Sequence, residues 1–224
     1  MPDLSYLSVW CADFPEDRIL DRFGVFLSTV HFSAKRSGFT HLTVRAVDAS
    51  ESPVYEQDLR STPLDAASVI EEVREFAHSD CSFEVRAYWD LASFDSAKAK
   101  LGTEPQPLEI SCFGEDYDGG AWRTNGHFQV NLGYEHFFTG HAGLLGIRRD
   151  QPAAAETEEE ARFLETMAWP ENLERYQKET RSNIARVFDW VRRIQKGVPI
   201  ARVQLWSEGE ENFEARLEEI LAVQ

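Results

Sequence analysis

From Cys81 to Leu91 the chain alternates: Cys81, Phe83, Val85, Ala87, Trp89 and Leu91 are separated by Ser82, Glu84, Arg86, Tyr88 and Asp90. A period of two places the first set on one face of a β-strand and the second on the other. The same alternation recurs from Leu4 to Cys11, where Leu7, Val9 and Cys11 oppose Tyr6, Ser8 and Trp10. It recurs again from Phe39 to Val47, where Leu42, Val44 and Ala46 oppose His41, Thr43 and Arg45. These strands predict a sheet with one apolar face for a core and one face carrying charges, a phenol, an imidazole and an indole.

Between the strands the apolar period lengthens to three and four. Ile19, Leu20, Phe23, Phe26, Leu27 and Val30 form one helical stripe after the start signal at Asp13 and Pro15, and Val69, Ile70, Val73, Phe76 and Ala77 form another after Thr62 and Asp65. A short strand over Val54 to Leu59 completes a β-α-β-β-α-β order. That order predicts an α+β fold whose N-terminal part, residues 1–96, is a ferredoxin-like antiparallel sheet with two helices on one face.

Residues 97–107 are turn-rich and read as a connector to a second half, 108–224. There Leu108 to Phe113 and Phe128 to Leu132 predict two strands, joined through the turn signals Asp118-Gly119-Gly120 and Asn125-Gly126. Gly133 to Gly146 reads as a glycine-rich loop, and Gln151 to Glu156 as a linker. Thr157 with Glu160 opens a helix that Trp169-Pro170 interrupts, and a long helix follows over 171–196. Its apolar stripe contains Leu173, Tyr176, Ile184, Val187, Phe188, Val191 and Ile194. Val203 and Leu205 mark a last strand, and Ser207 with Glu210 caps a terminal helix. This β-β-α-β-α half is expected to pack on the first sheet or extend it.

Composition narrows the functional classes. A hydrophobic fraction of 42% can fill a core at this length, whereas 23 basic against 39 acidic residues gives a net charge of −16. So negative a chain disfavours nucleic acids and anionic membranes, which need a concentrated cationic surface. It leaves open a basic protein partner, a cation or a small neutral ligand, and high acidity also serves solubility. Cys11, Cys81 and Cys112 are odd in number and far apart, which argues against a disulfide framework or zinc knuckle. With no membrane-length apolar window and no leader-like start, the expectation is a soluble cytoplasmic protein.

Two groups of residues could carry chemistry. The first is the polar sheet face, with Trp10, His41, Arg45, Glu84, Arg86, Tyr88 and Asp90 as candidate ligand-binding residues. The second is the stretch from Cys112 to His141, where Asp116, Asp118, His127, Glu135, His136 and His141 combine imidazoles with carboxylates. Their spacing matches no metal motif: His136 and His141 are five apart rather than three or four, and His127 falls where a calcium loop needs a bidentate glutamate. Gly140, Gly143 and Gly146 lack the lysine of a phosphate loop. No metal and no cofactor is therefore expected, and the absence of nucleophile-elbow, zincin or kinase motifs points away from catalysis. The leading expectation is a binding protein, of an accessory or immunity-like kind, that engages a basic partner through an acidic surface. The alternatives are a small-molecule-binding protein or enzyme using a sheet cavity or the His127–His141 loop, and a structural homo-oligomer, as a homodimer.

Overall fold

The computed structural model of the protein describes residues 2–95, 98–141, 144–145 and 157–222. Seven strands, β1 (Leu4–Cys11), β2 (His41–Ala46), β3 (Tyr55–Asp58), β4 (Cys81–Asp95), β5 (Lys100–Phe113), β6 (Phe128–Tyr134) and β7 (Ile200–Ser207), form one antiparallel sheet in the order β3-β2-β4-β5-β6-β1-β7. Among the described residues the helices are α1 (Ile19–Ser28), α2 (Ala66–Glu72), α3 (Trp122–Asn125), α4 (His136–Thr139), α5 (Glu158–Met167), α6 (Pro170–Gly197) and α7 (Phe213–Ala222). The fold is mixed α+β. No helix among these residues is long and apolar enough to cross a membrane.

The alternating apolar positions all face the helices. Leu7, Val9, Leu42, Val44, Phe83, Val85, Ile110, Phe128 and Val130 are fully buried. Helix α1 lays Phe23 against Phe83 and Phe26 against Phe128, with ring centroids 6.1 and 4.5 Å apart, and α6 brings Trp190 to Trp89 at 6.1 Å. The helix starts are local chemistry. The Asp65 carboxylate accepts the Ser68 N–H at the start of α2, the Thr157 hydroxyl accepts the Glu160 N–H at the start of α5, and Pro170 occupies the first turn of α6.

The strand order departs from the ferredoxin-like expectation. β1 pairs with β6 and β7 rather than with β2, β3 or β4, so the four early strands share one sheet without forming a compact unit of their own. Alternation reports which face a side chain takes and carries no information on which strand lies beside it, and here the neighbours of β1 come from the far half of the chain. The expected connector also changes: residues 100–107 are the first half of β5, paired with the end of β4 as far as Asp95 opposite Lys100. Asn183 of α6 holds this extension, its carboxamide accepting the Ala92 N–H and donating to the Ala92 and Phe137 carbonyls. The glycine-rich stretch after β6 contains the short helix α4, and the connection before β6 contains α3. The expected linker Gln151–Glu156, with Gly143 and Gly146, lies outside the described residues.

Candidate functional site

Seen through its registers, the polar face of the sheet is ordered in rows. Asp58, His41, Arg86, Glu109, Asn131, Tyr6 and Trp206 lie opposite one another across all seven strands, and Glu56, Thr43, Glu84, Ser111, Gln129, Ser8 and Gln204 form the next row. Residues in register point to the same face, so all of these side chains share the face that carries Tyr6, His41, Glu84 and Arg86.

The β2–β5 half of the face is a charge network. Arg86 bridges two carboxylates: its Nη2 donates to Glu84 at 3.0 Å, and its Nε lies 3.4 Å from Glu109. Arg45 approaches the other oxygen of Glu84 at 3.9 Å. The His41 Nε2 lies 3.3 Å from Glu56 and 3.1 Å from the Thr43 hydroxyl. Burial and the neighbouring Glu84 carboxylate hold the Glu109 carboxyl above its ordinary range, with Arg86, His41 and Arg45 acting in the opposite direction. Beside this network Thr40, His41, Arg60, Arg86, Tyr88 and Glu109 line a cavity of about 360 Å³.

The β1–β7 half is aromatic and amide-rich. Tyr6 and Trp206 stack with centroids 4.3 Å apart and planes 18° from parallel; the Trp206 N–H donates to the Ser8 hydroxyl and the Tyr6 hydroxyl to Glu208. Burial, then the bond to Glu208, pushes the Tyr6 hydroxyl up to about 12. Gln129, Asn131 and Gln204 are half-buried beside them.

Of the seven expected face residues, His41, Arg45, Glu84 and Arg86 are brought together, and Tyr88 adjoins them with the Arg36 guanidinium 4.5 Å above its ring. Trp10 is on the same face but apart, because β5 and β6 separate β1 from β4, a spacing of roughly 14 Å. It is buried beneath Arg202, and its N–H donates to the Arg123 carbonyl. Asp90 lies at the far end of β4 in a different recess of about 520 Å³ with His31 and Arg186. Burial raises its carboxyl, but hydrogen bonds from Ser33 and Ala34, with Arg186 and Lys35 nearby, leave it below the ordinary range. The face residues missed from sequence are Glu56, Asp58, Glu109, Ser111, Gln129, Asn131, Gln204 and Trp206. Alternation within 55–58, 108–113, 128–132 and 203–206 carries their signal, which becomes legible once both halves of the chain are known to share a sheet.

The expected loop constellation does not assemble. β6 runs its whole length between His127 and His136, roughly 20 Å. His127 is a packing residue: its ring stacks on Trp122 at 4.4 Å and tilts against Phe14 at 4.3 Å, while its Nδ1 accepts the Cys11 N–H at 3.0 Å. Gly126 makes this approach possible, since its φ of +90° and its backbone contact with Val9 leave no room for a Cβ. His136 and His141 do meet, stacked at 4.3 Å. Burial lowers both, and for His136 the neighbouring His141 adds to the effect and takes it to about 4. Asp116 accepts the Ser79 hydroxyl, Asp118 adopts a left-handed turn conformation, and Glu135 precedes α4. Among the described residues no three His, Cys, Asp or Glu side chains converge to hold a metal ion. The three cysteines are buried and free, and burial raises every thiol.

Compared with family models, curated proteins and solved structures, the chain matches none.

Proposed function

We propose that the protein is a non-catalytic binding module that receives a basic segment of a partner protein on the open face of its sheet. The observation that carries this reading is the crowding of Glu84 and Glu109 around the guanidinium of Arg86, with Arg45 only at 3.9 Å from Glu84. Glu109 is held above its ordinary range by burial and by Glu84, so a further cation placed there would relieve the repulsion. The stacked Tyr6–Trp206 pair in the same row offers a flat surface for a second guanidinium. The net charge of −16 steers such a partner inward.

Titration with a defined arginine-rich peptide, followed by amide and indole NMR, tests the reading. Shifts should follow the row Arg86, Glu109, Asn131, Tyr6 and Trp206, and the double change Glu84→Gln with Glu109→Gln should weaken binding about tenfold. Shifts confined to the acidic helices α5 and α7 would sink it. The cavity beside Tyr88 supports a second reading, a small polar ligand, because its size falls in the usual range of about 300–1,000 Å³. Native mass spectrometry of the purified protein distinguishes the two by an added small mass.

A further inference from the structure

The two edges of the sheet are unlike. β3 is four residues long, whereas β7 is eight residues long, pairs with β1 along one side and has no described strand on the other. Long unprotected edges are normally blunted by charge, proline or cover, because their free N–H and C=O groups template further pairing. Within β7 the sole ionisable residue is Arg202, on the polar face.

Beneath that edge lies a trough of about 510 Å³ where Phe188, Val191, Val198, Ile200, Val203 and Leu205 form an apolar wall and Gln195, Arg202 and Glu214 a polar rim. Phe188 and Val191 continue the apolar stripe of α6, yet unlike Ile184, Val187 and Ile194 they remain partly exposed. The helix thus carries a wider apolar stripe than its own chain covers. The trough sits where the helix-facing side chains of one more strand would fall.

We infer that the strand which fills this place is β7 of a second copy, giving a two-fold dimer whose sheet runs continuously through an antiparallel β7–β7 pair. Charge selects this occupant. Like molecules of charge −16 repel over most of their surface, but here a basic end, Lys196 and Arg202, precedes an acidic end, Glu210, Glu211 and Glu214. Antiparallel pairing lays each basic end against the other copy's acidic end, as a two-fold interface requires.

The register follows from the same side chains. Placing Arg202 opposite its own copy would set like charges face to face. Centring the pair on Val203 instead puts Arg202 opposite Gln204, repeating across the interface a contact that Arg202 already makes to Gln204 within the chain. Val203 then meets Val203, Leu205 meets Ala201, and Phe188 and Val191 of both copies close over them.

Sedimentation analysis of the full chain at about 100 μM tests the association, and the expected result is a dimer that Arg202→Glu weakens by about tenfold or more. Two cysteine variants test the register. Oxidised Val203→Cys should crosslink to itself, because directly opposed Cβ atoms lie about 4.5–5.5 Å apart, near disulfide reach. Ala201→Cys should not, since the two copies of that residue are offset by roughly 13 Å along the strands. The native thiols are buried and do not compete. A monomer at this concentration overturns the inference. So does a dimer that ignores Arg202→Glu, or one in which Ala201→Cys crosslinks as well as Val203→Cys.

Discussion

A single imidazole shows how far residue identity alone misleads. His127 stands among carboxylates in the sequence and looks like a ligand, but the structure uses its ring as an aromatic plate and its Nδ1 as the acceptor for one strand-end N–H. The acceptor role needs the neutral form, and burial lowers its pKa from 6.5 to about 4. The unfolded chain therefore takes up a proton on this side chain at a higher pH than the folded one. Stability should be undiminished above pH 6.5 and fall as pH drops toward 4, with on the order of 3 kcal/mol at stake for this residue. Urea midpoints measured across that window should slope less steeply in His127→Gln, which keeps an acceptor for Cys11 and removes the titration. Some slope should remain, since His136 and His141 are lowered too. An unchanged slope would show that His127 is not the proton acceptor. No sequence signal separates such a histidine from a metal ligand, because the distinction lies in Phe14 and Trp122, residues brought to it by folding.

At the scale of elements, alternation and helical period located almost every strand and long helix, because burial on one face leaves a direct imprint on residue order. Their failures are informative. The extension of β4 to Asp95 and of β5 back to Lys100 depends on Asn183, 91 residues from Ala92, and no local pattern records that contact. The stripe of α6 illustrates the opposite limit, since period alone ranks Phe188 with Ile184 as core. The structure separates core from trough, and the two should respond differently to truncation. Phe83→Ala removes a fully buried ring and should cost about 3–5 kcal/mol in denaturant unfolding. Phe188→Ala should cost about 1 kcal/mol or less when measured on dilute protein, because its ring keeps part of its exposure in the folded chain. Equal losses would mean that the trough is closed within the single chain, removing the apolar surface on which β7 pairing relies.

For the molecule as a whole, the decisive fact is where β1 finds its neighbours. It enters the sheet between β6 and β7, so β1 is completed by strands more than a hundred residues later, and the polar face acquires its Tyr6–Trp206 stack only through that closure. The sequence shows two successive sets of elements and suggests a division near residue 96. Pairing joins them, because β4 of the first set and β5 of the second form the longest ladder in the sheet, and α6 packs Trp190 against Trp89 of β4 and Phe26 of α1. A fragment of residues 1–96 would leave β1 without either strand that pairs with it and would strip β4 of one side. It should lack the dispersed amide spectrum of a folded protein. The intact chain should unfold in one transition, with the same midpoint for the indole of Trp10 in β1 and that of Trp190 in α6, each read by comparison with its Trp→Phe variant. Two separated midpoints, or a fragment that folds, would show that the early elements hold together without the later ones. The face that Arg86 shares with Trp206 would then be an interface between two independent bodies rather than a single surface fixed by one sheet.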